Sequence, residues 1–263
     1  MRTELVSEAG DRARPNEDFA SVGLAASGQG GSLVLLDGVT PPQGGGGCLH
    51  SVPWFTARLG GALTELTVSL TDVPLAGALS LAIARTAEAH AETCDLSHPR
   101  TPQATAVLAR WSPRTVEYLV LCDATLLLAS PDGAVTAVQD DRLARLPRTL
   151  LRSADVVDGT LRNREGGFFT AAADPSVAAR AVTGSVPRGE VRSLAALSDG
   201  AGRWAELFRQ GDWGDLFALV DRQGARTLVE RVRELERADE ATGRPLLGRA
   251  KTHDDATVVH VEP

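Results

Sequence analysis

Apolar residues form two kinds of run along the chain, and the shorter kind predicts β-strands. Each short run is continuously apolar or alternating, as expected for strands buried on two faces or on one. Residues 33–36, Leu-Val-Leu-Leu, are the clearest case. The predicted strands cover residues 3–9, 19–22, 32–36, 104–111, 116–121, 126–129, 134–138, 191–197 and 256–261. Turn signals at Ser112-Pro113 and Pro131-Asp132-Gly133 separate several of them and indicate an antiparallel meander.

The longer runs carry apolar residues at helical spacing and predict two groups of helices. Residues 52–70 and 75–94 form the first group, with a break at Asp72–Pro74 that indicates an antiparallel helix pair. Residues 204–210 and 213–238 form the second group, just before the last predicted strand. The order of strands, helix pair, strands, helices and strand predicts a layered α+β fold with largely antiparallel sheets. No change in composition marks a linker, so we expect a single domain over residues 1–263.

Composition excludes several classes of function. The formal net charge is −7 and the basic residues form no cluster, which argues against a nucleic-acid partner. The cysteines are Cys48, Cys94 and Cys122, an odd number without a C-x-x-C spacing. We therefore expect no disulfide framework and a cytoplasmic location. No apolar stretch approaches the roughly 20 residues of a membrane helix, and the first ten residues lack a signal-peptide pattern, so we expect no membrane partner.

Acidic residues lie where predicted strands meet loops. Asp37 and Asp199 each follow an apolar run and precede a glycine, Gly38 or Gly200. The others stand just before strands and are Glu17, Asp18, Asp254 and Asp255. A single Asp-Gly pair is more often a turn than a ligand, and Asp132-Gly133 is interpreted as a turn. The repeated placement at strand ends instead indicates one shared site.

Acids that converge in a partly desolvated site repel one another, and a divalent cation removes that repulsion. An all-oxygen donor set favours Mg²⁺ or Mn²⁺ over zinc. Two such ions about 3.5–4 Å apart lower the pKa of a bridging water and take up charge on phosphoryl oxygens. The sequence therefore predicts a two-metal site that hydrolyses a phosphate ester.

Six segments in order along the chain resemble the metal-dependent type 2C serine/threonine protein phosphatases. Each motif is weak alone, and their shared order and spacing carry the resemblance. The segments are Arg14-Pro15-Asn16-Glu17-Asp18, Leu35-Leu36-Asp37-Gly38, Ala104-Thr105-Ala106-Val107, Leu121-Cys122-Asp123-Ala124, Leu197-Ser198-Asp199-Gly200 and Asp254-Asp255-Ala256-Thr257-Val258-Val259.

The resemblance implies a four-layer α-β-β-α sandwich, with two mainly antiparallel sheets between helix pairs. It implies that Asp37, Asp199 and Asp254 bind one Mn²⁺ or Mg²⁺ ion, and that Glu17, Asp37 and the Gly38 carbonyl bind a second. Asp37 and Asp199 would then be catalytic, together with an arginine that holds the phosphate. The implied substrate is a bacterial protein phosphorylated on serine or threonine.

The candidate for the phosphate-binding arginine is Arg14. The family places this arginine four residues before its Glu, a position that holds Ala13 here. Arg12 and Arg14 flank it and would face away from the site on a regular strand. A bulge near Pro15 would turn Arg14 toward the site.

Two further departures affect the implied mechanism. Val39 stands where the family has His or Met after Asp-Gly, and it cannot serve as a general acid. Arg203 stands where the family has an aspartate for a third metal ion, which leaves Asp123 as the remaining acid there, and a third ion is not expected.

These departures leave an alternative open, in which the chain is a catalytically impaired regulatory module that binds a phosphoprotein. Among the histidines, His50 and His253 are closest in sequence to the predicted ligands, and His253 is a candidate proton donor. His90, within the second predicted helix, is expected at the surface. The glycine run at residues 44–47 is expected to be a loop near the metal site.

Overall fold

Two five-stranded antiparallel sheets form the centre of the computed structural model, which describes residues 1–41, 46–244, 246 and 252–263. Their strand orders are β1-β10-β9-β6-β7 and β2-β3-β4-β5-β8. The strands are β1 (Arg2–Glu8), β2 (Phe19–Leu24), β3 (Gly31–Gly38), β4 (Ala104–Trp111), β5 (Thr115–Leu121), β6 (Thr125–Ala129), β7 (Val135–Val138), β8 (Val182–Pro187), β9 (Ser193–Leu197) and β10 (Ala256–Glu262). The predicted antiparallel sheets are confirmed.

Alternate residues of β3 pack into two different layers. Leu33 and Leu35 belong to the core between the two sheets, where they join residues such as Leu194 and Val259 of the other sheet. Val34 and Leu36 point to the opposite face and pack against helices. Because successive side chains of a strand alternate in direction, a continuous apolar run can fill both layers.

Helices cover the outer faces of both sheets. The β3-containing sheet is covered by α1 (Val52–Ser69) and α2 (Leu75–Glu88), and the β9-containing sheet by α3 (Asp199–Glu206), α4 (Trp213–Gln223) and α5 (Ala225–Ala241). The predicted four-layer α-β-β-α sandwich is therefore confirmed. Shorter helical turns are Arg148–Leu151, Ala154–Val156, Val157–Leu161, Pro175–Arg180 and Arg188–Glu190.

Several elements differ from the prediction. The helix predicted over residues 204–210 begins earlier, at Asp199, and ends at Glu206. The second helix ends at Glu88 rather than residue 94, since the chain turns after Ala89 and leaves the helix axis. The predicted helix over residues 213–238 is two helices separated by Gly224, whose φ of 93° suits a residue without a Cβ. The edge strand β8 was not predicted, because its exposed, mixed sequence lacks a regular apolar pattern.

Among the described helices, none has both the length and the apolar character that crossing a membrane requires.

Candidate active site at the strand ends

Strand pairing places the predicted ligands side by side in two pairs. In one sheet, β2 runs antiparallel to β3 with Phe19 opposite Leu36, so Glu17 and Asp37 lie at the same edge. In the other sheet, β10 runs antiparallel to β9 with Val258 opposite Leu197. Asp199 follows β9 and Asp254 precedes β10, so these two acids also share one edge.

Glu17 packs directly on the end of β3. A Cβ added to Gly38 would lie 2.6 Å from the Glu17 carbonyl oxygen and 2.8 Å from the Glu17 Cβ. The absence of a side chain at residue 38 therefore permits this approach. The Thr40 hydroxyl donates a hydrogen bond to the Glu17 carboxylate at 2.5 Å, which restricts the orientation of that carboxylate.

A hydrogen bond joins the two pairs of acids across the sandwich. The backbone N–H of Asp199, the first residue of α3, donates to Asp37 Oδ2 at 3.2 Å. Asp37 itself is 9% exposed. Asp199 Oδ1 is buried and has no hydrogen-bond partner among the described residues. A buried carboxylate oxygen without a donor is costly, and a cation at this position would satisfy it.

Asp254 lies against the start of α3. A Cβ on Gly200 would meet the Asp254 Cβ at 3.1 Å and the Asp255 carbonyl oxygen at 2.0 Å. Glycine at residue 200 therefore allows the Asp-Gly segment after β9 to approach the strand entrance of β10. Glu17, Asp37, Asp199 and Asp254 consequently lie at one shared edge, as the sequence predicted.

Arg203 forms an ion pair with one of these acids. Its Nη2 donates to Asp254 Oδ2 at 2.7 Å, and its Nη1 donates to Glu236 Oε1 at 2.6 Å. Glu236 also accepts a hydrogen bond from Arg233 Nη1 at 2.6 Å. All four side chains are buried, so the network holds a guanidinium against the Asp254 carboxylate in a site with little water.

Asp18 and Asp255 hold the segment around Glu17 in place. Asp255 accepts hydrogen bonds from the backbone N–H groups of Gly10 at 2.8 Å and Glu17 at 2.7 Å. The Thr257 hydroxyl donates to Asp18 Oδ2 at 2.6 Å. Desolvation raises the pKa of Asp18 to about 7, opposed by the Thr257 hydrogen bond and reinforced by the nearby Asp255 and Asp199 charges. These two acids position the site rather than line it.

Solved structures of bacterial phosphatases share this architecture. The Staphylococcus aureus serine/threonine phosphatase Stp1 is 12% identical, with a TM-score of 0.59 over 99% of this chain and 94% of its own. The Mycobacterium tuberculosis serine/threonine phosphatase PstP/Ppp is 17% identical, with a TM-score of 0.59 over 98% and 97%. This chain has the type 2C phosphatase fold. A third neighbour, the S. agalactiae serine/threonine phosphatase, is 11% identical, with a TM-score of 0.59 over 100% and 99%.

The similarity to these phosphatases is found by comparing structures, at 11–17% sequence identity. Comparison of the sequence alone finds no match. No protein-family model matches the chain, and no curated protein sequence does either.

Three other residues that the sequence analysis singled out are Arg14, Val39 and His253, and their contacts differ from those of the acids. Arg14, the predicted phosphate-binding residue, has a side chain that is 70% exposed, and its Nε lies 3.9 Å from Asp11 Oδ2. Val39 follows Gly38 and donates its backbone N–H to the Gln103 carbonyl at 2.9 Å. His253 Nε2 lies 3.4 Å from Glu240 Oε2. Arg14 therefore remains a prediction that rests on movement of an exposed side chain.

The donor set fits hard divalent cations at one half of the site. Glu17, Asp37 and the Gly38 carbonyl supply only oxygen, which suits Mg²⁺ or Mn²⁺. Asp199 Oδ1, which has no hydrogen-bond partner among the described residues, would accept a cation beside Asp37. The Asp254 half already has a positive charge from Arg203. A metal ion at Asp254 therefore has to share that carboxylate with a guanidinium.

A second cluster escaped the sequence prediction. Cys48, His50, His90 and Cys94 place one potential ligand atom each within 4.8 Å of one another. The expectation that His90 lies at the surface is wrong, since it is 2% exposed. The sequence does contain one indication of this cluster. Two of the residues come just before α1, and the other two come just after α2. In an antiparallel helix pair those two ends are neighbours. The Gly44 and Gly45 part of the predicted loop lies outside the described residues.

Proposed function

We propose that the chain is a divalent-metal-dependent phosphatase that acts on phosphoserine or phosphothreonine in proteins. The hydrogen bond between Asp199 and Asp37 carries the proposal, because it joins the acids of the two sheets into one site. The phosphatase fold supports the reaction class, and the structurally similar proteins are serine/threonine phosphatases, which supports a serine or threonine phosphoester as substrate.

Each retained acid has a role in this proposal. Asp37 would serve both metal ions, one together with Glu17 and the Gly38 carbonyl and the other together with Asp199 and Asp254; its place beside Glu17 in the strand pairing and its hydrogen bond from Asp199 support this role. Mn²⁺ or Mg²⁺, when bound, lowers the pKa of a coordinated water and neutralises phosphoryl oxygens. Arg14, on its exposed segment, would swing inward to hold the phosphoryl group.

The test is release of phosphate from a serine-phosphorylated peptide and from an aryl phosphate, with Mn²⁺, with Mg²⁺ and with a chelator. We expect turnover with at least one of the two metals and none with the chelator, because the acids require a cation to approach a phosphate dianion. Turnover that persists in the chelator, or that is absent with both metals, contradicts the proposal.

One observation favours a second function, a module that binds phosphoproteins without turnover. The Arg203 guanidinium lies 2.7 Å from the Asp254 carboxylate and compensates its negative charge. The repulsion between the acids that a metal ion would relieve is therefore smaller. Binding of the phosphopeptide together with no turnover under any metal condition would support this alternative.

A further inference from the structure

Two cysteines and two histidines meet at the base of the helix pair formed by α1 and α2. Cys48 Sγ lies 3.4 Å from His90 Nδ1 and 3.7 Å from His50 Nδ1. Cys94 Sγ lies 3.4 Å from His50 Nδ1 and 2.9 Å from Cys48 Sγ. His90 is buried, and the other three side chains are half-buried.

The topology explains why residues so far apart in sequence meet. Cys48 and His50 directly precede Ser51, which caps the N-terminus of α1. His90 and Cys94 directly follow Ala89, which caps the C-terminus of α2. The two helices pack against one another, so the entrance of the first lies beside the exit of the second.

Two sulfurs and two ring nitrogens form a donor set typical of a four-coordinate zinc site. Tetrahedral zinc places sulfur and nitrogen ligands about 3.5 Å apart and two sulfurs about 3.8 Å apart. The three sulfur–nitrogen distances match this geometry, and the sulfurs need to separate by about 1 Å. The cysteines are free thiols rather than a disulfide, whose sulfurs would lie about 2.05 Å apart.

Backbone groups and an aromatic ring surround the four side chains. The N–H of Leu49 points at Cys94 Sγ at 3.4 Å, and the N–H of His50 points at Cys48 Sγ at 3.4 Å. Such N–H donors stabilise metal-bound thiolates and orient them. Trp54 stacks on the His50 ring with a centroid distance of 3.9 Å.

A further bond ties the two segments together outside the cluster. The Asp95 N–H donates to the Gly47 carbonyl at 2.7 Å. This backbone bond joins the segment that carries Cys48 and His50 to the segment that carries His90 and Cys94. None of the four potential ligands takes part in it. The four potential ligands therefore lie on two segments that are bonded to one another, and none of the four side chains is fully exposed.

We propose that Cys48, His50, His90 and Cys94 bind one structural Zn²⁺ ion, which fastens the segment just before α1 to the segment just after α2. All four coordination positions come from the protein, so the site is closed and has no catalytic position. Binding releases the protons of both thiols, and each histidine binds through its neutral ring. The proposal is independent of the phosphatase reaction, since it uses none of the strand-end acids.

The first test is the metal content of untagged protein purified under reducing conditions, measured by elemental analysis. We expect about one zinc per chain. Replacement of the zinc by Co²⁺ is expected to give thiolate-to-cobalt charge-transfer absorption and the visible bands of tetrahedral cobalt. This measurement uses the unaltered chain, so it does not depend on whether a variant folds.

The matched variants compare the three cysteines. Cys48→Ser combined with Cys94→Ser should reduce zinc content at least tenfold, whereas Cys122→Ala should leave it unchanged, because Cys122 lies in a separate cluster with Leu161 and Phe168. The proposal is overturned if unaltered protein neither contains nor takes up zinc, or if its cobalt form lacks charge-transfer absorption. It is also overturned if thiol counting after denaturation finds one free thiol rather than three, which would indicate a Cys48–Cys94 disulfide.

Discussion

Replacing Asp37 with Asn is expected to lower kcat about a thousandfold at saturating Mn²⁺, equivalent to about 4 kcal/mol of transition-state stabilisation. Asp37 is nearly buried and accepts the Asp199 N–H across the sandwich. An asparagine keeps the size of the side chain but removes the charge that would hold two cations together. The measurement is steady-state hydrolysis of an aryl phosphate over a range of Mn²⁺ concentrations.

The matched control is Asp132→Asn. Asp132 belongs to an exposed turn between β6 and β7, where its carboxylate accepts the Ser130 hydroxyl and the Ala134 N–H. This variant should retain activity within about twofold, since changes at exposed turns have small effects. Equal activity of the Asp37 and Asp132 variants would remove Asp37 from the mechanism. Full recovery of the Asp37 variant in excess Mn²⁺ would limit its role to metal affinity.

Replacing Arg203 with Met is expected to lower the free energy of unfolding by about 3–5 kcal/mol in the absence of metal. The guanidinium is buried and pairs with both Asp254 and Glu236. Glu236 keeps its pair with Arg233, whereas Asp254 loses its contact with this guanidinium. Methionine retains an unbranched apolar stem, although it is shorter than arginine, which limits the change in packing. Urea unfolding followed by circular dichroism measures the difference.

Mn²⁺ should restore part of this loss, since a cation at Asp254 replaces the missing charge. The stability of the Arg203 variant should therefore rise with Mn²⁺ more steeply than that of the unaltered protein. Arg85→Met is the control, because Arg85 forms an exposed ion pair with Glu65 and should change stability by less than about 1 kcal/mol. A loss at Arg203 that Mn²⁺ leaves unchanged would show that the guanidinium stabilises the fold without competing for the metal position.

The apolar pattern predicted most of the fold because a strand that is buried on both faces of its sheet is continuously apolar in sequence. The run at residues 33–36 predicted a buried strand, and antiparallel pairing then placed Glu17 beside Asp37 and Asp254 beside Asp199. The acids could be found in sequence because each stands next to such a strand. The helix boundary at Gly224 was harder to predict, since apolar residues continue at helical spacing on both sides of it.

The polar partners of the site could not be predicted from the sequence. Arg203 was recognised as a departure from the phosphatase motif, yet only the structure shows that it pairs with Asp254, 51 residues away. The single cluster of Cys48 and Cys94 with two histidines was missed for a similar reason. Their association depends on the length and packing of two helices, and no spacing within either segment indicates it.

Calorimetric titration of Mn²⁺ into the protein measures whether the strand-end acids bind a divalent metal. The titration uses protein loaded with one equivalent of Zn²⁺ and freed of excess zinc, so that the cysteine and histidine cluster does not contribute and the strand-end acids are not occupied by zinc. We expect saturable Mn²⁺ binding to the unaltered protein and to Asp132→Asn, with binding at least tenfold weaker in Asp37→Asn. No binding to the unaltered protein, or equal binding by all three proteins, would contradict it.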